Sequence, residues 1–163
     1  TYWTPDGENH RNGICDYFGH YGSKYEAVRE QNLEILKLAP QLLRLRSTAV
    51  HHWPDTPRGT TLLPSEDLVE SIEGGQFVIG EFVDEQGLPW LMVVNRDYQH
   101  AARVTMCLRT EYRVLSEMAH STGTLRRFGP DLTCPEPCFT HRDGLAVRFW
   151  MAPGDGRLFR LGE

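Results

Sequence analysis

From about residue 43 to the end of the chain, apolar residues recur at every second position, in short runs with no helical pattern between them. Leu43, Leu45, Ser47 and Ala49 alternate with Arg44, Arg46, Thr48 and Val50. Ala102, Val104, Met106 and Leu108 alternate with Arg103, Thr105, Cys107 and Arg109, the cleanest half-buried pattern in the chain. Gln76–Asp84, Tyr112–Met118, Leu145–Met151 and Arg157–Leu161 read as further strands. Pro89–Asn95, with Trp90-Leu91-Met92-Val93-Val94 at its centre, reads as a central strand buried on both sides. Turn chemistry separates the runs at residues 54–59, at Glu85-Gln86-Gly87, at Arg142-Asp143-Gly144 and at Pro153-Gly154-Asp155-Gly156. Parallel neighbours need a long crossover, usually a helix, so about seven or eight strands without helices must pair mostly antiparallel. The pattern predicts a mainly β chain, an antiparallel β-sandwich over residues 43–163.

The first 42 residues are of another kind. Residues 1–22 read as a loop crowded with aromatics: Tyr2, Trp3, Tyr17, Phe18 and Tyr21. Residues 23–39 read as an amphipathic helix. Ser23-Lys24-Tyr25-Glu26 has the form of a capping box. Tyr25, Val28, Asn32, Ile35, Leu36 and Ala39 form one stripe, widened by Leu33 and Leu38, and Pro40 ends or kinks the helix. Such a helix must bury its stripe, either on the sandwich or on a layer outside the chain. The start at Thr1-Tyr2-Trp3, without Met, favours the second course: residues 1–42 as the loop and final helix of a (β/α) barrel that precedes them.

Composition excludes several classes. The net charge is −5, from 17 Lys and Arg against 22 Asp and Glu, which disfavours a nucleic-acid partner held by phosphate neutralisation. No run approaches the ~20 apolar residues of a membrane-spanning helix. The four cysteines are too dispersed for a disulfide scaffold, and Cys107 reads as a buried free thiol. Cys134 and Cys138 have a spacing within zinc-ligand range, with His141 near, but a closed site needs further ligands from elsewhere; in a secreted protein a local bridge is the stronger alternative. The adjacent histidines His51-His52 fall on opposite faces of a strand and cannot share a metal. No Gly-rich phosphate loop and no nucleophile-elbow motif is present. No metal and no cofactor is therefore expected.

Tyr2-Trp3-Thr4-Pro5, Asn12-Gly13-Ile14, Lys24-Tyr25-Glu26-Ala27-Val28-Arg29-Glu30, Asn32-Leu33-Glu34-Ile35 and Leu42-Leu43-Arg44-Leu45-Arg46-Ser47 together resemble one join. It is the join between the TIM barrel and the C-terminal β-sandwich in β-galactosidase-like retaining glycoside hydrolases. Val93-Val94-Asn95-Arg96-Asp97 and the closing pair of strands around Pro153-Gly154 are similar to the later parts of such sandwiches. The resemblance covers most of the chain in outline. It implies an accessory, non-catalytic region. The two catalytic glutamates of that family lie on earlier barrel strands, so no catalytic residue carries over. Tyr2 and Trp3 would be aromatics near the sugar site.

On the residues' own terms, the neighbouring carboxylates Asp6 and Glu8, Glu66-Asp67 and Asp84-Glu85 read as solvated turns. The second functional class is a free-standing carbohydrate-binding or protein-interaction module, in which an exposed aromatic stacks on sugar. Trp53, Trp90, Trp150 and Phe128 are its candidates. Trp53, beside prolines in a polar loop, is the one expected to be exposed, whereas Trp90 and Trp150 are expected to pack. The expected partners are thus carbohydrate, a barrel domain, or a second copy through the helix.

Overall fold

The computed structural model describes residues 13–16, 18–62, 68–109, 111–128, 138–141 and 144–162. Helix α1 (Tyr25–Leu42) is followed by eleven described strands: β1 (Arg46–Trp53), β2 (Thr61–Leu62), β3 (Val69–Glu73), β4 (Phe77–Val83), β5 (Pro89–Asn95), β6 (Ala102–Leu108), β7 (Val114–Met118), β8 (Leu125–Phe128), β9 (Cys138–His141), β10 (Gly144–Met151) and β11 (Gly156–Gly162). The chain divides into two units: Thr1–Pro40 with His120–Gly123, and Gln41–Ala119 with Thr124–Glu163.

The larger unit is a β-sandwich. One sheet has the order β2-β1-β4-β5-β11-β7-β8 and the other β3-β6-β10-β9. All pairings are antiparallel except β1 with the short β2. Alternation then decides what goes inside. Phe77 and Ile79 of β4, Leu91 and Val93 of β5, Leu115 of β7 and Phe159 and Leu161 of β11 share one core with residues of the smaller sheet. From that sheet come Val69 and Ile72 of β3, Val104, Met106 and Leu108 of β6, and Val147, Phe149 and Met151 of β10. As the apolar run implies, β5 is central, and Trp90 and Leu91, on opposite faces, are both essentially inaccessible.

A buried ion pair lies within this core. Arg157 Nε donates to Glu117 Oε1 at 2.7 Å, and both side chains are buried. The guanidinium stands 4.7 Å from the ring centre of Phe149, 5.4 Å from Phe128 and 5.6 Å from Phe159. Arg126 closes the network on Glu117 Oε2, through Nε at 3.0 Å and Nη2 at 2.6 Å. Burial pushes the Glu117 carboxyl up, but the bonds and charge of Arg157 and then Arg126 outweigh it and hold the group below its ordinary value.

The helix departs from the sequence reading at both ends. It starts at Tyr25, whose amide donates to the Gly22 carbonyl at 3.0 Å, so Ser23 lies outside the capping position. Glu26 turns instead to Arg29, at 3.2 Å. At the other end α1 runs through Pro40 to Leu42. Pro40 falls in the last turn, and the Leu36 carbonyl it leaves without an N–H belongs to an exposed residue, so water can satisfy it.

Candidate functional site

In the smaller unit, the loop before α1 is tied by its own backbone. The Gly22 amide donates to the Ile14 carbonyl, and Asp16 accepts from the amides of Phe18 and His20 and faces the His20 ring at 2.8 Å. This tight return brings Tyr21 onto Tyr25 of the first helical turn, with ring centres 3.7 Å apart and planes within 3°. Beyond the stacked pair, Ile14, Tyr25, Val28, Arg29, Asn32 and Leu33 line an open groove of about 250 Å³.

The groove continues into the apolar stripe of α1. Ile35 is 56% exposed, Leu36 66% and Leu33 44%. The one buried residue of the helix is Leu38. At 3.6 residues per turn, Leu38 lies roughly 110° around the helix from the middle of the stripe. The helix thus buries Leu38, half-buries Tyr25, Val28 and Ala39, and leaves Ile35 and Leu36 of its apolar face uncovered. No helix of the described residues is long and apolar enough to cross a membrane.

A second exposed feature belongs to the sandwich. On β10, Val147, Phe149 and Met151 point inward, so Arg148 and Trp150 point out. Trp150 is 62% exposed, and the Arg103 guanidinium of β6, its cross-strand partner, stands 5.9 Å from the indole centre.

The candidate residues fall as follows. Tyr2 and Trp3 lie outside the described residues, as do Asp6, Glu8, Glu66, Asp67 and Cys134. Trp53 ends β1 half-buried and packed against the core, where alternation turns it inward beside the register pair with Phe77. Trp90 is buried, its Nε1 donating to Asp84 at 3.0 Å. Phe128 is buried beside Arg157. The exposed tryptophan among these candidates is therefore Trp150 and not Trp53. The signal for it was in the sequence, since Trp150 falls opposite the apolar face of Leu145–Met151.

The polar candidates serve the fold. Asp84 accepts from the amides of Gln86 and Leu88 as well as from Trp90, and so ties the β4–β5 turn. Burial raises its pKa, but these bonds outweigh that and hold it below the ordinary value. Glu81 is buried and accepts from the Leu68 amide at 3.0 Å. His51 is buried and His52 half-buried, on opposite faces of β1. Cys107 is a free thiol, half-buried on the outward side of β6. Among the described residues no group of three or more His, Cys, Asp or Glu side chains is placed to hold a metal ion.

Comparison with protein-family models, with curated proteins and with solved structures finds no match for this chain.

Proposed function

We propose that the chain is a non-catalytic accessory β-sandwich region of a glycoside hydrolase acting in carbohydrate metabolism. In this reading α1 is an outer helix of the enzyme's barrel, and the region braces that barrel or the oligomer. The observation that carries the proposal is the uncovered stripe of α1. A helix that keeps Ile35 and Leu36 of its apolar stripe in water has room on that side for a further layer, and a layer of barrel strands would cover it. The engagement of Asp84, Glu81 and Glu117 in turns, amides and arginine pairs agrees with a non-catalytic role. The resemblance of the Tyr2-Trp3 and Lys24–Ile35 segments to the barrel–sandwich join supplies the enzyme class.

The test has two arms. The coding sequence upstream of the Thr1 codon is expected to run on through βα units bearing two strand-end glutamates. The purified chain is expected to leave aryl glycosides intact and to self-associate with rising concentration. A start codon directly before Thr1, or hydrolysis of an aryl glycoside by this chain, would overturn the proposal.

A further inference from the structure

We propose that the outer face of the smaller sheet binds an acidic saccharide, with Trp150 as the stacking platform and Arg103 as the partner of the sugar carboxylate.

The strand register assembles this face. Trp150 is paired with Arg103, and Arg148 with Thr105. Alternation turns all four outward, because Ala102, Val104 and Met106 of β6 and Val147, Phe149 and Met151 of β10 turn in. Directly paired side chains on one face stand about 5 Å apart, and positions i and i+2 along a strand about 7 Å. Trp150 is thus flanked by one arginine across the ladder and another along its own strand. Both arginines are exposed, and Thr105 is half-buried between β3 and β10. β3 exposes two acidic residues, Glu70 in its bulge and Glu73 paired with Thr105, both on the far side of β6 from Trp150.

The chemistry of these groups selects the ligand. An indole left largely in water offers a flat apolar surface of the kind that the C–H face of a pyranose covers. The Arg103 guanidinium, 5.9 Å from the indole centre, is near the platform and keeps its N–H donors, whose fork matches a carboxylate. The sign of the charge points the same way. The chain as a whole is acidic, at −5, so a cation beside its exposed tryptophan, Arg103, favours a compact anion held locally. A sugar acid carries its apolar ring face and its carboxylate on one rigid ring, whereas an acidic side chain of a peptide is flexible and has no such face. The proposal stands on the sandwich unit and not on α1, so its failure would leave the accessory reading untouched.

The test titrates the purified chain by calorimetry with a short oligogalacturonate, a neutral oligogalactose of equal length, and oligoglutamate. The oligogalacturonate is expected to bind most tightly. Trp150→Ala should weaken it by about tenfold or more, the loss of one stacked ring. Arg103→Gln should weaken the acidic sugar by about tenfold and leave the neutral one unchanged. Both positions are exposed, and an unchanged melting temperature establishes that each variant folds. Trp150→Phe, which keeps an aromatic face, should retain most of the binding. No binding of oligogalacturonate, binding indifferent to Trp150→Ala, or oligoglutamate bound as tightly as the sugar acid would each overturn the proposal.

Discussion

The sandwich and the helix both carry apolar faces, and they treat them differently. In the sandwich unit, Phe77, Ile79, Leu91, Val104, Met106 and Phe149 are lost to solvent almost entirely, and even an arginine is taken inside once a carboxylate and three phenylalanine rings surround it. In the helical unit, one side chain of α1 is buried; of its stripe, Tyr25, Val28 and Ala39 are half-buried and Ile35 and Leu36 remain in water. Two sheets can close on each other and complete a core. A lone helix with a loop has one apolar stripe and no second face of its own to meet it. The difference separates a unit with a closed core from a helix that keeps Ile35 and Leu36 in water.

The contrast is tested most sharply at the buried ion pair. Glu117→Ala would leave Arg157 charged between Phe128, Phe149 and Phe159 without its carboxylate. Removing one member of a buried pair costs about 3–5 kcal/mol. Chemical denaturation should show that loss as a lower midpoint with little change in slope. A loss under about 1 kcal/mol would mean that water reaches the pair and that the core is less closed than described.

Next in size is Gly74, in the turn between β3 and β4. Its φ is +102°, and a Cβ there would overlap the Arg103 carbonyl oxygen, a backbone atom that cannot swing aside. Gly74→Ala is expected to cost about 2–4 kcal/mol, from conformation and crowding together. A matched Gly87→Ala, also at positive φ but with nothing near its Cβ, should cost only the conformational part, about 1 kcal/mol. Equal losses at the two sites would remove the close approach as the cause.

Much of this was legible in the residues. The period-two runs locate β4, β5, β6, β7, β10 and β11, and the central place of β5, whose second face is buried at Trp90 but half-buried at Met92 and Val94. The strands that escaped have a physical reason. In β3 the pairing with β6 shifts between Val69 and Ser71, and the two inward residues Val69 and Ile72 are three apart, a spacing that matches no strand period. Leu125 and Phe128 of β8 are likewise three apart, and β2 is two residues long. The helix stripe was legible because periodicity is local. The pairing of Glu117 with Arg157 was not, because it spans 40 residues and exists only through the register of β7 on β11. Trp53 was misjudged because its prolines lie after the strand, and the parity of β1, set by a bulge between Ser47 and Ala49, turns it inward.

The pH dependence follows from the same pair. The folded pKa of Glu117 lies below its unfolded value, so its stabilisation is complete above the unfolded pKa of about 4.3. It is lost as pH falls through the folded value. Asp84, also lowered, adds a contribution of the same sign. Denaturation midpoints should therefore be level near neutrality and fall below about pH 4. In Glu117→Gln the acid limb should be shallower, with the remainder due to groups such as Asp84. An unchanged limb would show that Glu117 is not held in its charged form by Arg157 and Arg126.

The smallest effect on stability is expected where the apolar face is open. Ile35→Lys with Leu36→Lys places two charges on the exposed stripe of α1. Lysine forms helix about as well as leucine and slightly better than isoleucine, and neither side chain is buried among its neighbours. Stability should stay within about 0.5 kcal/mol of the parent. On the accessory reading, self-association, read by sedimentation, should fall sharply, because the surface proposed to drive it has become charged. The same pair of charges introduced at Ile79 and Val93, facing each other in the core, should prevent folding altogether. If the helix variant instead melted early, the stripe would be packed within the chain in solution. The distinction between a closed sandwich and a helix built for a neighbour would then fail, and the accessory reading with it.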